Sequence, residues 1–119
     1  MTDRFEDERG VIQDLLGAPI DGITEIFTRE GAVRGNHVHM QTTQWTYVVS
    51  GRMLAVAKLI DGSLAERELW PGQMLEETAA VPHAWKALQD TKVLVFTRGP
   101  RSGAGYESDT VRLKEPILR

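Results

Sequence analysis

The feature that most restricts this chain is its punctuation. Turn-forming residues recur at Glu30-Gly31, Gly51, Asp61-Gly62, Pro71-Gly72, Gln89-Asp90-Thr91 and Gly99-Pro100. Glycine admits positive φ, and proline fixes φ while removing a backbone donor, so regular structure tends to end at both. The stretches left between them are short and rich in β-branched and aromatic residues, as in Ile23-Thr24-Glu25-Ile26-Phe27-Thr28. Lys92-Val93-Leu94-Val95-Phe96-Thr97 reads as the clearest buried strand. Asp61-Gly62 is a two-residue hairpin signal joining strands over 52–60 and 63–70. Further strands are expected over 44–49, 74–78, 81–88 and 109–113, while 11–16 is a short strand or a turn of helix. Short strands at regular spacing, with no long helical pattern, predict an all-β sandwich or barrel.

Composition narrows the function classes. The 14 basic and 17 acidic residues are interspersed and leave a net charge of −3, so no electrostatic footprint for nucleic acid appears. The longest apolar stretch, 53–60, is broken by Lys58 and is too short to span a bilayer. The opening residues are charged and lack an apolar signal core, so a cytoplasmic protein with no membrane partner is the expectation. There is no cysteine, hence no disulfide, thiolate ligand or thiol nucleophile. Any metal must sit on nitrogen and oxygen, which points to Fe, Mn, Ni, Co, Cu or Zn.

Two of the three histidines, His37 and His39, are separated by one residue. On a strand, residues two apart share a face and lie about 6–7 Å apart at Cα, close enough for both imidazoles to reach one ion. Gln44 opens the following strand after the turn-like Gln41-Thr42-Thr43, and the returning strand can bring it beside the histidines. The third histidine, His83, lies far along the chain in Ala79-Ala80-Val81-Pro82-His83.

This spacing carries a family resemblance. Gly31, five residues, His37, one residue, His39, four residues, Gln44, six residues and Gly51 resembles the first signature motif of the cupin superfamily, with Gln44 in place of the usual glutamate. The stretch ending at His83 resembles the centre of the second motif. It has Thr78 and Ala80 where proline and glycine are expected, and Ala87 where asparagine is expected. The resemblance implies a double-stranded β-helix, or jelly-roll barrel, as one domain over 1–119. Its core would span about 22–98, with a charged N-terminal arm over 1–10 and a C-terminal loop and strand over 99–119. It also implies a homodimer, and a divalent transition metal held by His37, His39, His83 and Gln44.

Gln44 sets the character of such a site. A glutamate would cancel one of the metal's two charges, whereas a carboxamide oxygen contributes only a dipole. A neutral donor set binds the ion less tightly, acts as a stronger Lewis acid and favours an anionic ligand. Alternatively, Gln44 hydrogen-bonds a histidine and leaves a three-histidine site. Both readings stand at this point.

Three functions follow. The first is a metal-dependent dioxygenase, isomerase or lyase acting on a small anionic molecule, with His37, His39 and His83 as candidate catalytic residues. Arg34, Tyr47 and Trp85 are candidate substrate contacts, Glu76 and Glu77 candidate bases, and Tyr106-Glu107-Ser108-Asp109 a candidate lid. The second function is metal-free. Arg34-Gly35-Asn36-His37-Val38-His39 with Gln44 is similar to a stretch of cupins that isomerise nucleotide-linked keto-sugars, and Asp7-Glu8-Arg9-Gly10 resembles an opening found in sugar-nucleotide epimerases and isomerases of that fold. There histidine works as acid and base. The strand Glu25-Ile26-Phe27-Thr28 departs from that pattern, lacking the tyrosine those isomerases present to the sugar. The third function is a non-catalytic small-molecule binding or sensor domain.

Overall fold

The stretches between turns become strands in the computed structural model, which describes residues 4–100 and 103–119. A hairpin of β1 (Arg4–Asp7) and β2 (Gly10–Gln13) comes first. β3 (Gly22–Thr28), β4 (Val33–His39), β5 (Thr43–Ser50), β6 (Met53–Lys58) and β7 (Leu64–Leu69) follow. After them come β8 (Met74–Glu77), β9 (His83–Ala87), β10 (Thr91–Arg98), the short helix α1 (Gly103–Asp109) and β11 (Thr110–Arg112). Beyond the hairpin the strands form two sheets, β3-β10-β5-β8 and β11-β4-β9-β6-β7, with neighbours antiparallel throughout. This is the all-β sandwich that the strand pattern predicts, in the double-sheet jelly-roll form that the family resemblance implies. Among the described residues no helix is long and apolar enough to cross a membrane.

The core lies between the sheets. Val48, Met53, Leu69 and Val93 are fully buried there, each contributing roughly 1.5–3 kcal/mol by removal from water. β10 is not buried on both faces as its composition suggests. Val93 and Val95 point into the core, while Leu94 and Phe96 are half-buried on the outer face of the four-stranded sheet.

Three further local readings are corrected. The charged arm expected over 1–10 is a strand from residue 4 to residue 7, which pairs with 10–13 in a hairpin. The turn is held by Asp7, which accepts hydrogen bonds from the Arg9 guanidinium at 2.6 Å and the Arg9 amide at 2.9 Å. These bonds keep the Asp7 carboxyl below the usual carboxylate range. The β6–β7 hairpin turns through more than Asp61-Gly62, since the strands stop at Lys58 and Leu64. The Leu59 amide still donates to Ser63 O, and Gly62 takes φ +88°. Finally, the expected C-terminal loop from residue 99 includes the short helix α1 before the last strand; Arg101 and Ser102 lie outside the described residues.

Two departures from regular backbone position the site. β4 pairs with β9 in one register up to Gly35–Ala84 and in the next from His37–His83, so Asn36 is an extra, bulged residue. Gly35 (φ +92°) and Asn36 (φ +56°) both take the left-handed region there. A Cβ on Gly35 would stand 3.0 Å from the backbone of Ala84 and of His83. Ala80 is the second departure. Its φ of +68° is the conformation for which the motif's expected glycine is suited, and it costs an alanine roughly 1–2 kcal/mol.

Candidate functional site

The bulge explains how Arg34, His37 and His39 come to face one cavity. Strict alternation would put Arg34 and His37, three residues apart, on opposite faces. The extra residue Asn36 resets the alternation, so that Arg34 pairs with Trp85 and His37 with His83. Asn36 turns outward and ties the C-terminal segment to the bulge. Its Oδ1 accepts from the Ile117 amide (2.8 Å) and the Leu118 amide (3.2 Å), and its Nδ2 donates to Leu118 O (3.0 Å).

All three histidines converge, and one potential ligand atom from each lies within 4.8 Å of the others. The His37 and His83 Nε2 atoms are 3.1 Å apart, with their rings perpendicular. His39 and His83 are buried and His37 is half-buried. His39 Nδ1 lies 3.1 Å from Thr110 Oγ1, because β11 pairs Thr110 with His39. Asp109 stands behind that contact, its Oδ2 3.9 Å from His39 Nδ1. It accepts from Thr42 Oγ1 and the Gln41 amide, each at 2.6 Å, which locks the end of α1 onto the β4–β5 turn. His83 Nδ1 lies 3.3 Å from Val81 O, and its Nε2 is 3.5 Å from Glu77 Oε2. Glu77 Oε1 accepts a 2.7 Å hydrogen bond from Thr46.

The histidines open into a cavity of about 380 Å³ between the two sheets, within the range of small-molecule sites. The five-stranded sheet gives it Arg34, Gly35, the histidines, Trp85 and Arg112, while the four-stranded sheet gives Ile26, Gln44, Thr46 and Val95. Arg34 donates to Thr28 Oγ1 (2.7 Å) and Phe27 O (3.3 Å), and neither it nor Arg112 is ion-paired among the described residues. Gln44 faces the cavity.

Two candidates lie elsewhere, for a reason of parity. Gln44 and Thr46 face inward, so Tyr47 points to the outer face of the four-stranded sheet and does not line the cavity. Glu76 likewise faces outward and accepts from Trp45 Nε1 at 2.8 Å; of the two neighbouring carboxylates only Glu77 reaches a histidine. The side chain of Tyr106, named in the candidate lid, lies outside the described residues. Sequence reading missed Arg112, Thr110 and Thr46 as site residues. Thr46 was accessible by parity with Gln44, whereas Arg112 and Thr110 depend on the long-range pairing of β11 with β4.

The donor set suits a divalent transition metal. It offers three imidazoles and no thiolate, and the 3.1 Å between His37 and His83 Nε2 is close to that of two ligands each about 2.1 Å from one ion.

Comparison with known proteins agrees with this architecture. No curated protein sequence matches the chain. The fold is similar to QdtA, a sugar 3,4-ketoisomerase from Thermoanaerobacterium thermosaccharolyticum solved in complex with TDP. That likeness has a TM-score of 0.79 at 18% identity, over 95% of this chain and 85% of that one. It is also similar to dTDP-4-dehydrorhamnose 3,5-epimerase from Sulfolobus tokodaii, with a TM-score of 0.72 at 23% identity over 87% and 70% of the two chains. The capsular polysaccharide assembling protein CapF from Staphylococcus aureus matches with a TM-score of 0.70 at 18% identity over 97% of this chain, which spans only 33% of CapF. At these identities the likeness is one of fold. The family model described as Cupin matches residues 21–108, most of the chain and all three histidines, and so the chain belongs to the cupin family.

Proposed function

We propose that this chain isomerises or epimerises a keto sugar carried on a nucleoside diphosphate, with histidines as acid and base. The observation that carries the reading is the His37–His83 contact at 3.1 Å inside a cavity rimmed by two arginines that have no ion pair among the described residues. Two imidazole nitrogens at that distance form a hydrogen bond only when one carries the hydrogen and the other accepts it. With its Nδ1 facing the Val81 carbonyl, neutral His83 offers Nε2 as acceptor. A proton is thereby held where a substrate carbon or oxygen would meet it.

The chemistry needs no net oxidant. One imidazole removes the proton next to the sugar carbonyl, and the carbonyl oxygen takes a proton to give an enediol. Return of a proton to the former carbonyl carbon, as the first carbon's hydroxyl gives up its proton, completes isomerisation; return to the opposite face of the first carbon, as the enol hydroxyl gives its proton back, completes epimerisation. β3 presents Ile26 rather than a tyrosine to the cavity, and the reading gives both roles to histidines. Arg34 and Arg112 suit the diphosphate, and the Gln44 amide suits sugar hydroxyls as donor and acceptor. The fold likeness to a ketoisomerase bound to TDP supports the same substrate class. The reading includes a homodimer in the cytoplasm. Exposed Ile23 and Phe27 on the outer face of the four-stranded sheet, with Phe5 and Ile12 on the hairpin, support the pairing of two chains.

The test uses TDP-4-keto-6-deoxyglucose, a ligand of one QdtA structure, in deuterated water. Deuterium entering beside the carbonyl, read by NMR, is the expected result. His37→Asn and His83→Asn are each expected to slow it by about 10²-fold or more. No exchange by the wild type, or full exchange by both variants, would contradict the reading.

A second reading, a metal-dependent enzyme on a small anionic substrate, is favoured by the three convergent imidazole nitrogens. His37, His39 and His83 would hold the ion, which when bound would supply Lewis-acid stabilisation of a developing oxyanion. Chelator treatment separates the two readings, since it leaves the metal-free reaction intact.

A further inference from the structure

We propose that Glu77 of β8, and not Gln44 at the motif position, is the fourth donor of a divalent-cation site completed by His37, His39 and His83. The proposal rests on the second reading above, that the imidazoles hold a cation.

The register supplies the first argument. Gln44 and Glu77 are direct partners across β5 and β8, so their side chains share the inner face. The carboxylate that position 44 lacks is therefore present one strand over. Distance supplies the second. Two ligands on one cation at about 2.0–2.2 Å stand roughly 3.0–3.5 Å from each other. His83 Nε2 has two such neighbours, His37 Nε2 at 3.1 Å and Glu77 Oε2 at 3.5 Å. Glu77 reaches His83 but stands outside the cluster formed by the three imidazoles, so joining the ion takes a side-chain adjustment.

Three of the four donors also have an outer partner that orients them. His83 Nδ1 faces Val81 O, His39 Nδ1 faces Thr110 Oγ1, and Glu77 Oε1 accepts from Thr46, which leaves Oε2 toward His83. Such outer contacts orient metal ligands and raise their basicity. Burial is the fourth argument. The Glu77 side chain is 8% exposed and His83 is 7% exposed. A carboxylate so enclosed, with one hydroxyl donor and an imidazole beside it, calls for positive charge. Gln44 instead keeps its amide in the substrate cavity.

A route for the ion exists as well. A second, mostly apolar cavity of about 270 Å³ lies between β6–β7 and β8 and touches both Glu77 and His83. Neither Arg34 nor Arg112 lines it; its charged lining is Arg67 together with the carboxylates Glu66, Glu76 and Glu77, so acidic groups outnumber the one cation there. Charge then divides between two strands, with Glu77 cancelling one of the ion's two charges while Gln44 contacts the ligand.

Titration of metal-free protein with Co²⁺, followed by its visible absorption and by competition with a chromophoric chelator, tests the assignment. The wild type is expected to bind one Co²⁺ per chain. Glu77→Gln keeps an acceptor for Thr46 and is expected to weaken binding by at least about tenfold, the lower end of what losing even an outer contact of a metal ligand costs. Gln44→Leu is expected to stay within about threefold of wild type. Glu77→Asp, which keeps the charge on a shorter arm, is expected to fall between wild type and Glu77→Gln, and melting of the metal-free variants checks that each folds. Wild-type affinity in Glu77→Gln, or an equal loss in Gln44→Leu, overturns the role of Glu77 and leaves the cation reading in place. A wild type that binds no Co²⁺ removes both.

Discussion

The two sheets make unequal contributions to the cavity. The five-stranded sheet carries every histidine and both rim arginines, while the four-stranded sheet offers an amide, a hydroxyl and, beside His83, a carboxylate. One wall is thus basic and proton-carrying, and the other is neutral or acidic. The difference follows from how each wall is built. The basic wall depends on irregular backbone, the Asn36 bulge and the left-handed Ala80, to bring strand residues to a point. The opposite wall is regular in register where it meets the cavity, and Gln44, Thr46 and Glu77 arrive by simple alternation. An anionic ligand should therefore be held by the five-stranded wall and be read by the other.

Removing the basic rim is the strongest way to break this contrast. The double variant Arg34→Ala/Arg112→Ala is expected to weaken TDP binding about a hundredfold, near 2.7 kcal/mol, at two charge-assisted contacts of about 1.5–3 kcal/mol each with some overlap. Calorimetry reads the affinity, and Gln44→Ala on the opposite wall is expected to change it by less than tenfold. A smaller effect sharpens the backbone half of the comparison. Gly35→Ala places a Cβ against backbone at 3.0 Å in a left-handed residue, and is expected to lower stability by about 1–3 kcal/mol in chemical denaturation. Ala80→Gly relieves the same kind of strain and is expected to raise stability by about 0.5–1 kcal/mol. Were both substitutions neutral, the irregular backbone would not be what aims the basic wall.

Much of this arrangement was legible before any coordinates. The His37–His39 spacing forecast a shared face, because strand alternation is a local rule; the meeting with His83 followed from the resemblance of its stretch to the second cupin motif. The all-β architecture was legible because alternation and turn chemistry are likewise local. What stayed hidden depends on which strands meet. Arg112 enters the site only because β11 pairs with β4, and Glu77 was one of two neighbouring candidates until the β5–β8 register chose between them. Arg34 faces the cavity through a bulge that sequence spacing does not announce, although Gly35-Asn36 is the kind of pair that tolerates one. Tyr47 was placed wrongly where the rule was available, since its parity differs from that of Gln44. The N-terminal hairpin was read as an arm because charge density hid a pairing of short, exposed strands.

The central claim is that residues 37, 39 and 83 form one chemical centre. Protein labelled with ¹⁵N at histidine, titrated with TDP and followed by long-range ¹H–¹⁵N correlation spectra of the rings, tests it most directly. The account predicts that all three imidazoles shift together along one saturation curve. A ring of His83 that stays still while the other two respond would contradict it.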